Sequence, residues 1–167
     1  MILPYSIRRR LLAWAEKVKA KREPDVFIGG RDDPYMLRWH IIRSPKWFNV
    51  FNLFLHEFRR SDDDRALHCH PWPNISLLLD GAYIEHLPGD RKEFRLPGDI
   101  IIRKPTSPHR IELYPTGVFH GTDCPTTLFL TGRKVREWGF ACPQGWIHWK
   151  DFVSPTDNGQ VGPGCGE

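Results

Sequence analysis

The pattern of apolar and polar positions predicts one amphipathic helix at the beginning of the chain. Ile7, Leu11, Trp14, Ala15 and Val18 recur at helical spacing, with Arg and Lys between them. Proline and glycine residues in "EPDVFIGGRDDPY" then interrupt this periodicity. We expect the apolar side of this helix to pack on the rest of the protein, with its charges in water. Contact of the basic side with nucleic acid or a membrane surface is the alternative.

The remainder of the chain has the pattern of short strands separated by turns. Aromatic and β-branched residues, which favour strands, are concentrated in several segments. These segments span 35–43, 47–60, 74–87, 92–105, 109–114, 126–140 and 146–153. Short strands at this spacing are typical of a β-sandwich or barrel. We therefore predict a basic helix and linker over 1–34, a β-barrel over 35–153, and a flexible Gly/Pro-rich tail over 154–167.

Composition and charge place the protein among folded globular chains. The 167 residues include seven Trp and ten Phe, and 40% are hydrophobic, which suits one domain with a substantial core. Residues 1–22 carry seven basic and one acidic residue (+6), whereas residues 23–167 carry 17 and 19 (−2). The basic character therefore belongs to the helix alone. No apolar run reaches the ~18 residues of a membrane-spanning helix, and the order of charges differs from a secretory signal. We expect a cytoplasmic protein without a membrane or nucleic-acid partner.

The four cysteines are widely spread. Cys69, Cys124, Cys142 and Cys165 form no C-x-x-C pair. Such spacing favours reduced thiols in the cytosol over a disulfide framework or a Cys-rich zinc site.

The stretch "ALHCHPW" contains the strongest chemical signal. In an extended strand, residues i and i+2 point to the same face, so His68 and His70 project together and Cys69 points away. A catalytic metal needs a third protein ligand from elsewhere. His109 is the best candidate, because it follows a strand and a Pro-bounded turn that can bring the chain back beside this pair. The other candidates are His40, His56, His86, His120 and His148.

The spacing of these residues resembles that of the cupin superfamily. His68, His70 and Gly81 match its first motif, G-x5-H-x-H-x3,4-E-x6-G, and Gly98 and His109 match its second, G-x5-P-x-G-x2-H-x3-N. The departures are Asp62 and Asn74 in the first motif, and Pro105 (one residue late), Thr106 and Leu113 in the second. The resemblance covers roughly residues 35–153. It implies an all-β fold, the cupin double-stranded β-helix or jelly-roll barrel, preceded by the N-terminal amphipathic helix.

By that resemblance, His68, His70 and His109 bind one divalent transition metal. Asn74 replaces the carboxylate ligand of the family and is expected to be a weak ligand or to lie just outside the ligand set. A ligand set of three imidazoles without an acid is similar to that of the thiol dioxygenases. This resemblance implies Fe(II) as the metal and a small polar or thiol-bearing substrate. Zinc, manganese or nickel, with isomerase, epimerase or lyase activity on a sugar or carboxylic acid, is one alternative. A non-catalytic ligand-binding cupin is another.

Further residues are candidates for roles around the metal. Tyr83 and His56 are candidates for proton transfer, and Trp72 for a wall of the site. A substrate carboxylate would need an arginine, and we select Arg103 from a wider set. That set is Arg38, Arg43, Arg59, Arg103, Arg110 and Arg133.

Two segments outside the proposed site complete the sequence-based picture. The acidic run 62–64 is expected to be a solvated loop. The aromatic-rich segment 136–153 is expected to cover the barrel, or alternatively to form a homodimer contact.

Overall fold

The computed structural model describes residues 1–45, 50–62, 65–115, 117–118, 122–154 and 162–166. Its helices are α1 (Tyr5–Lys21) and the short α2 (Trp149–Phe152). Its strands are β1 (Val26–Ile28), β2 (Met36–Arg43), β3 (Asn52–Phe58), β4 (Leu67–His68), β5 (Asn74–Asp80), β6 (Tyr83–Leu87), β7 (Arg91–Arg95), β8 (Ile100–Arg103), β9 (Arg110–Leu113), β10 (Thr126–Thr131), β11 (Gly139–Cys142) and β12 (Gly145–His148). The chain therefore forms the N-terminal helix and the succession of short strands that its sequence pattern predicted.

The strands pair antiparallel in three sheets. The largest has the order β1-β2-β3-β10-β5-β8, and the smaller ones are β7-β6-β9 and β12-β11-β4. A buried cluster joins the inner faces of the six-stranded sheet and of the β7-β6-β9 sheet. It consists of Met36, Phe58, Leu78, Tyr83 and Ile111. The two sheets therefore enclose the interior in which the site lies.

Helix α1 packs on the outer face of the six-stranded sheet. Ala15 is fully buried against Leu37, Trp39 and Leu55 of that face. Polar contacts support the packing, since Lys19 Nζ donates to Glu57 Oε2 at 2.8 Å. The docked arrangement expected from the apolar stripe is thus the one observed. In the part of the chain that the structure describes, no helix combines the length and the apolar character needed to cross a bilayer.

The expectation of four reduced thiols is wrong, because Cys142 and Cys165 form a disulfide. Their separation of 23 residues gave no sign of it, and only the fold brings their Cα atoms to 5.6 Å. Cys69 and Cys124 are free. Residues 162–166 of the tail, which we expected to be flexible, are bound to the barrel, where Gly164 N donates to the Phe152 carbonyl at 3.0 Å. Residues 155–161 lie outside the described part of the chain.

Candidate metal centre

Backbone pairing brings the three predicted histidine ligands together. His68 ends β4, and His109 directly precedes β9. The amide of each residue donates to the carbonyl of the other, both at 2.9 Å, in an isolated antiparallel bridge. Residues directly opposite in such a bridge project to the same side of the sheet. Strand alternation adds His70 to that side.

The three imidazoles form one compact cluster. Their ring centroids are 4.6 Å apart for His68 and His109, 5.0 Å for His70 and His109, and 5.2 Å for His68 and His70. One nitrogen from each ring lies within 4.8 Å of the others. Three imidazoles converging on one point are a donor set that zinc, iron, copper and nickel accept. The residues present therefore fit a single transition metal ion.

The surroundings of the cluster keep the imidazoles of His70 and His109 neutral. Burial holds the pKa of His70 well below its usual value, and the proximity of His68 and Arg103 acts in the same direction. Burial, followed by Arg103 and the other two histidines, does the same to the pKa of His109. Metal coordination requires an unprotonated imidazole nitrogen. These two side chains are accordingly in the form that binds a metal at neutral pH.

Asp62 supports the cluster, although the sequence suggested only a solvated loop. Its side chain is just 8% exposed, and Oδ2 lies 3.6 Å from His68 Nδ1. The same oxygen accepts a hydrogen bond from Ile111 N at 2.6 Å, and Tyr35 also bonds to this carboxylate. The expectation for Asp62 is therefore wrong. Asp62 is held in place by Ile111 of β9, which is distant in sequence. The only sequence signal for its role was therefore its position six residues before His68. Asp63 and Asp64 lie outside the described residues.

Asn74, at the position where the resemblance implies a carboxylate, is buried with unused hydrogen-bonding capacity. The residue is 3% exposed, and among the described residues neither its Oδ1 nor its Nδ2 has a partner. It lies opposite Thr131 on β10, whose buried Oγ1 is likewise unpaired within the described chain. Leaving such atoms unpaired costs about 1–3 kcal/mol each. Both side chains can therefore bond to a bound water or ligand in the interior.

Arg103 lies inside the barrel, where its guanidinium already pairs with a carboxylate of the protein. It shares the inner face of β8 with Ile101, in agreement with strand alternation. Arg103 Nε donates to Glu85 Oε1 at 2.9 Å, and Nη2 bonds to the same oxygen. Tyr83, predicted for proton transfer, is 1% exposed and bonds to Arg103; burial raises its pKa. Glu85 therefore already provides a carboxylate partner for Arg103, and binding of a substrate carboxylate by Arg103 stays a prediction.

His56 and Trp72 lie near the cluster without joining it. His56 is buried, and its Nε2 accepts a hydrogen bond from Arg38 Nε at 2.9 Å. The ring of Phe129 lies between His56 and His70, with centroids 5.1 and 5.6 Å away respectively. Burial, followed by the charge of Arg38, holds the pKa of His56 well below normal, so it stays neutral. Trp72, two residues after His70, has a buried Nε1 without a partner among the described residues.

The remaining histidine candidates lie elsewhere. His40 is on β2, His86 contacts Glu112 and Arg110, and His148 caps α2. His120 lies outside the described residues. No described histidine other than the predicted three joins the cluster.

The aromatic-rich segment 136–153 packs beside His68. Phe140 pairs with His68 across β11 and β4, and its ring lies 6.2 Å from the imidazole. Trp138 lies 6.5 Å from the same ring, and Phe140 stacks on Phe152 at 3.6 Å. This segment thus provides an apolar wall on one side of the cluster.

Comparison with known proteins identifies the fold. No family model and no curated protein sequence matches the chain. Solved structures do: the polyketide cyclase RemF from Streptomyces resistomycificus has a TM-score of 0.50 at 21% identity, over 66% of this chain and 72% of that one. A cupin-like protein from Thermotoga maritima has a TM-score of 0.50 at 12% identity, over 76% and 86%. FeII HppE has a TM-score of 0.51 at 14% identity, over 66% of this chain and little more than half, 56%, of that one. The predicted all-β cupin fold is confirmed.

Proposed function

We propose that this protein is a mononuclear metal enzyme that binds one divalent transition metal through His68, His70 and His109. The observation that supports it is the convergence of three imidazoles inside a cupin fold. We further propose that the metal is Fe(II) and the activity that of a dioxygenase on a small polar or thiol-bearing substrate. FeII HppE has the same fold, and imidazole nitrogen is a suitable donor for iron.

The chemistry of the donor set supports this proposal. Because all three ligands are neutral, they leave the full +2 charge of the ion for its open positions. When bound, the metal supplies a Lewis acid at which dioxygen and a chelating, electron-rich substrate group can be held together. The chain itself places Asp62 beside His68 and offers the amide of Asn74 as an additional hydrogen-bonding group. Phe140 restricts water on the side of His68.

The same three imidazoles would also accept zinc, manganese or nickel for isomerase or lyase chemistry, so metal identity is the first measurement. Elemental analysis of protein purified without oxygen should give one ion per chain. His109→Ala should abolish its retention, whereas His40→Ala, a histidine variant on β2 outside the cluster, should retain it.

Oxygen consumption by the iron-loaded protein, measured against a panel of small thiols and hydroxy acids, then distinguishes a dioxygenase from an isomerase. Wild-type protein that retains no transition metal and has no affinity for added iron would contradict the metal site. Turnover of a substrate without oxygen uptake would contradict the dioxygenase.

A further inference from the structure

Arg38 places a positive charge on the inner face of the barrel. It lies on β2 directly opposite His56 of β3, and its Nε donates to His56 Nε2 at 2.9 Å. The guanidinium lies 4.9 Å above the ring centroid of Phe54, another residue of the inner face. These two contacts fix the plane of the guanidinium. They leave its two terminal amino groups without a hydrogen-bond partner among the described residues.

The buried carboxylates of the described chain are all engaged by other partners. Glu85 binds Arg103 and Arg95. Asp62 binds Ile111 N and Tyr35. On the outer face, Glu57 binds Lys19 and Arg59.

Arg38 therefore has no carboxylate partner within the described residues. Its pKa is lowered by burial, but only to about 10, so it remains protonated at neutral pH. The residue is partly buried, and a charge held away from bulk water without a counter-ion is costly, so proteins normally pair it.

A second unpaired group lies beside this arginine. Thr127 of β10 is opposite His56 in the sheet register, so Arg38, His56 and Thr127 form one row across three adjacent strands. Thr127 is 1% exposed, and its Oγ1 has no partner in the described part of the chain. The row thus presents a guanidinium and a buried hydroxyl.

The row is close to the proposed metal centre. The ring of Phe129 lies 5.1 Å from that of His56 and 5.6 Å from that of His70, so a single aromatic side chain separates them. The row therefore lies one side chain away from the metal ligands.

We propose that Arg38 and Thr127 bind a carboxylate of the substrate. His56 is a positioning residue, because its Nε2 accepts the hydrogen bond from Arg38 Nε and so fixes the guanidinium. This inference deepens the proposed function by giving its substrate class: a small carboxylic acid whose second polar group reaches the metal. A monoanion balances the guanidinium of Arg38, and a carboxylate accepts two parallel hydrogen bonds from the arginine fork.

The test is calorimetric titration of the 167-residue protein, metal-free and metal-loaded, with propionate and its uncharged analogue propionamide. Propionate should bind both forms, and propionamide should bind at least tenfold more weakly. Arg38→Met should weaken propionate binding at least tenfold, and Thr127→Val severalfold. Arg43→Met, an exposed arginine on the same strand, should leave it unchanged.

Thermal unfolding separates a binding role from a structural one. An arginine that has no counter-ion and is retained for binding is a cost to the fold, so Arg38→Met should unfold at the same or a higher temperature than wild type. Equal binding of propionate and propionamide, tighter binding of inorganic phosphate, or equal propionate affinity in the Arg38→Met and Arg43→Met variants would each overturn the proposal. Because the metal-free form is titrated separately, a failure of the metal site does not obscure the result.

Discussion

Asp62 provides the most direct test of how the fold supports the proposed metal centre, and Asp62→Asn is the appropriate perturbation. The substitution keeps an oxygen that can accept from Ile111 N, which now bonds at 2.6 Å, but removes the negative charge 3.6 Å from His68 Nδ1. A carboxylate beside a ligating imidazole orients the ring and increases its basicity. Loss of such a partner typically lowers metal affinity about 10–100-fold.

The geometry places the expected effect at the lower end of this range. Oδ2 of Asp62 is shared with a backbone amide, and 3.6 Å is longer than a hydrogen bond. We therefore expect about a tenfold loss of affinity, equivalent to about 1.4 kcal/mol. Asp62→Ala also removes the acceptor of Ile111 N, which should additionally destabilise the fold by about 1–3 kcal/mol.

The assay is competition for Co(II) or Zn(II) between the protein and a chromophoric chelator at fixed pH, together with chemical unfolding of each variant. Asp99→Asn is the matched control, since Asp99 Oδ2 likewise accepts from a backbone amide, that of Leu96, at 3.0 Å. An Asp62→Asn protein that binds metal within twofold of wild type would refute the supporting role of this carboxylate. An equal loss in Asp99→Asn would show that the effect is not local to His68.

Three further predictions concern stability. Glu85→Gln should lower the free energy of unfolding by about 3–5 kcal/mol, because it leaves the buried Arg103 without its counter-ion; urea unfolding measures this. Cys165→Ser, which opens the disulfide to Cys142, should cost about 3 kcal/mol by the same assay. The metal-free protein should lose stability below pH 6.5, by about 1.4 kcal/mol per pH unit for each buried histidine such as His109.

The sign of the pH effect follows from the depressed pKa values. Below the unfolded pKa of 6.5 the unfolded chain takes up protons that the folded chain, with its lower pKa, does not, so acid favours unfolding until the folded pKa is reached. Unfolding midpoints that stay constant between pH 7 and 5 would contradict it.

Glu93→Gln, a partly exposed partner of Arg95, is the control for Glu85 and should cost at most about 1 kcal/mol. A Cys165→Ser protein as stable as wild type would contradict a stabilising role of the disulfide.

Local periodicity determined the features that depend on neighbours in sequence. The 3.6-residue stripe around Ala15 predicted the helix and its packing. Period-two alternation placed His68 and His70 on the same side of their segment, and it placed Arg103 on the same side of β8 as Ile101. The residue types and their spacing, joined to the cupin resemblance, were enough to add His109 from about forty residues downstream.

Long-range pairing decided what the sequence could not. Asp62 contacts the amide of Ile111, Cys165 meets Cys142, and Glu85 rather than a substrate neutralises Arg103. Each contact joins strands or segments that are distant in sequence, and alternation gives the face of a side chain but not its partner across the barrel. The sequence by itself therefore determined the elements, the face of each strand and the three converging histidines. Only the tertiary structure decided which charges inside the barrel are neutralised and which, like that of Arg38, have no carboxylate partner among the described residues.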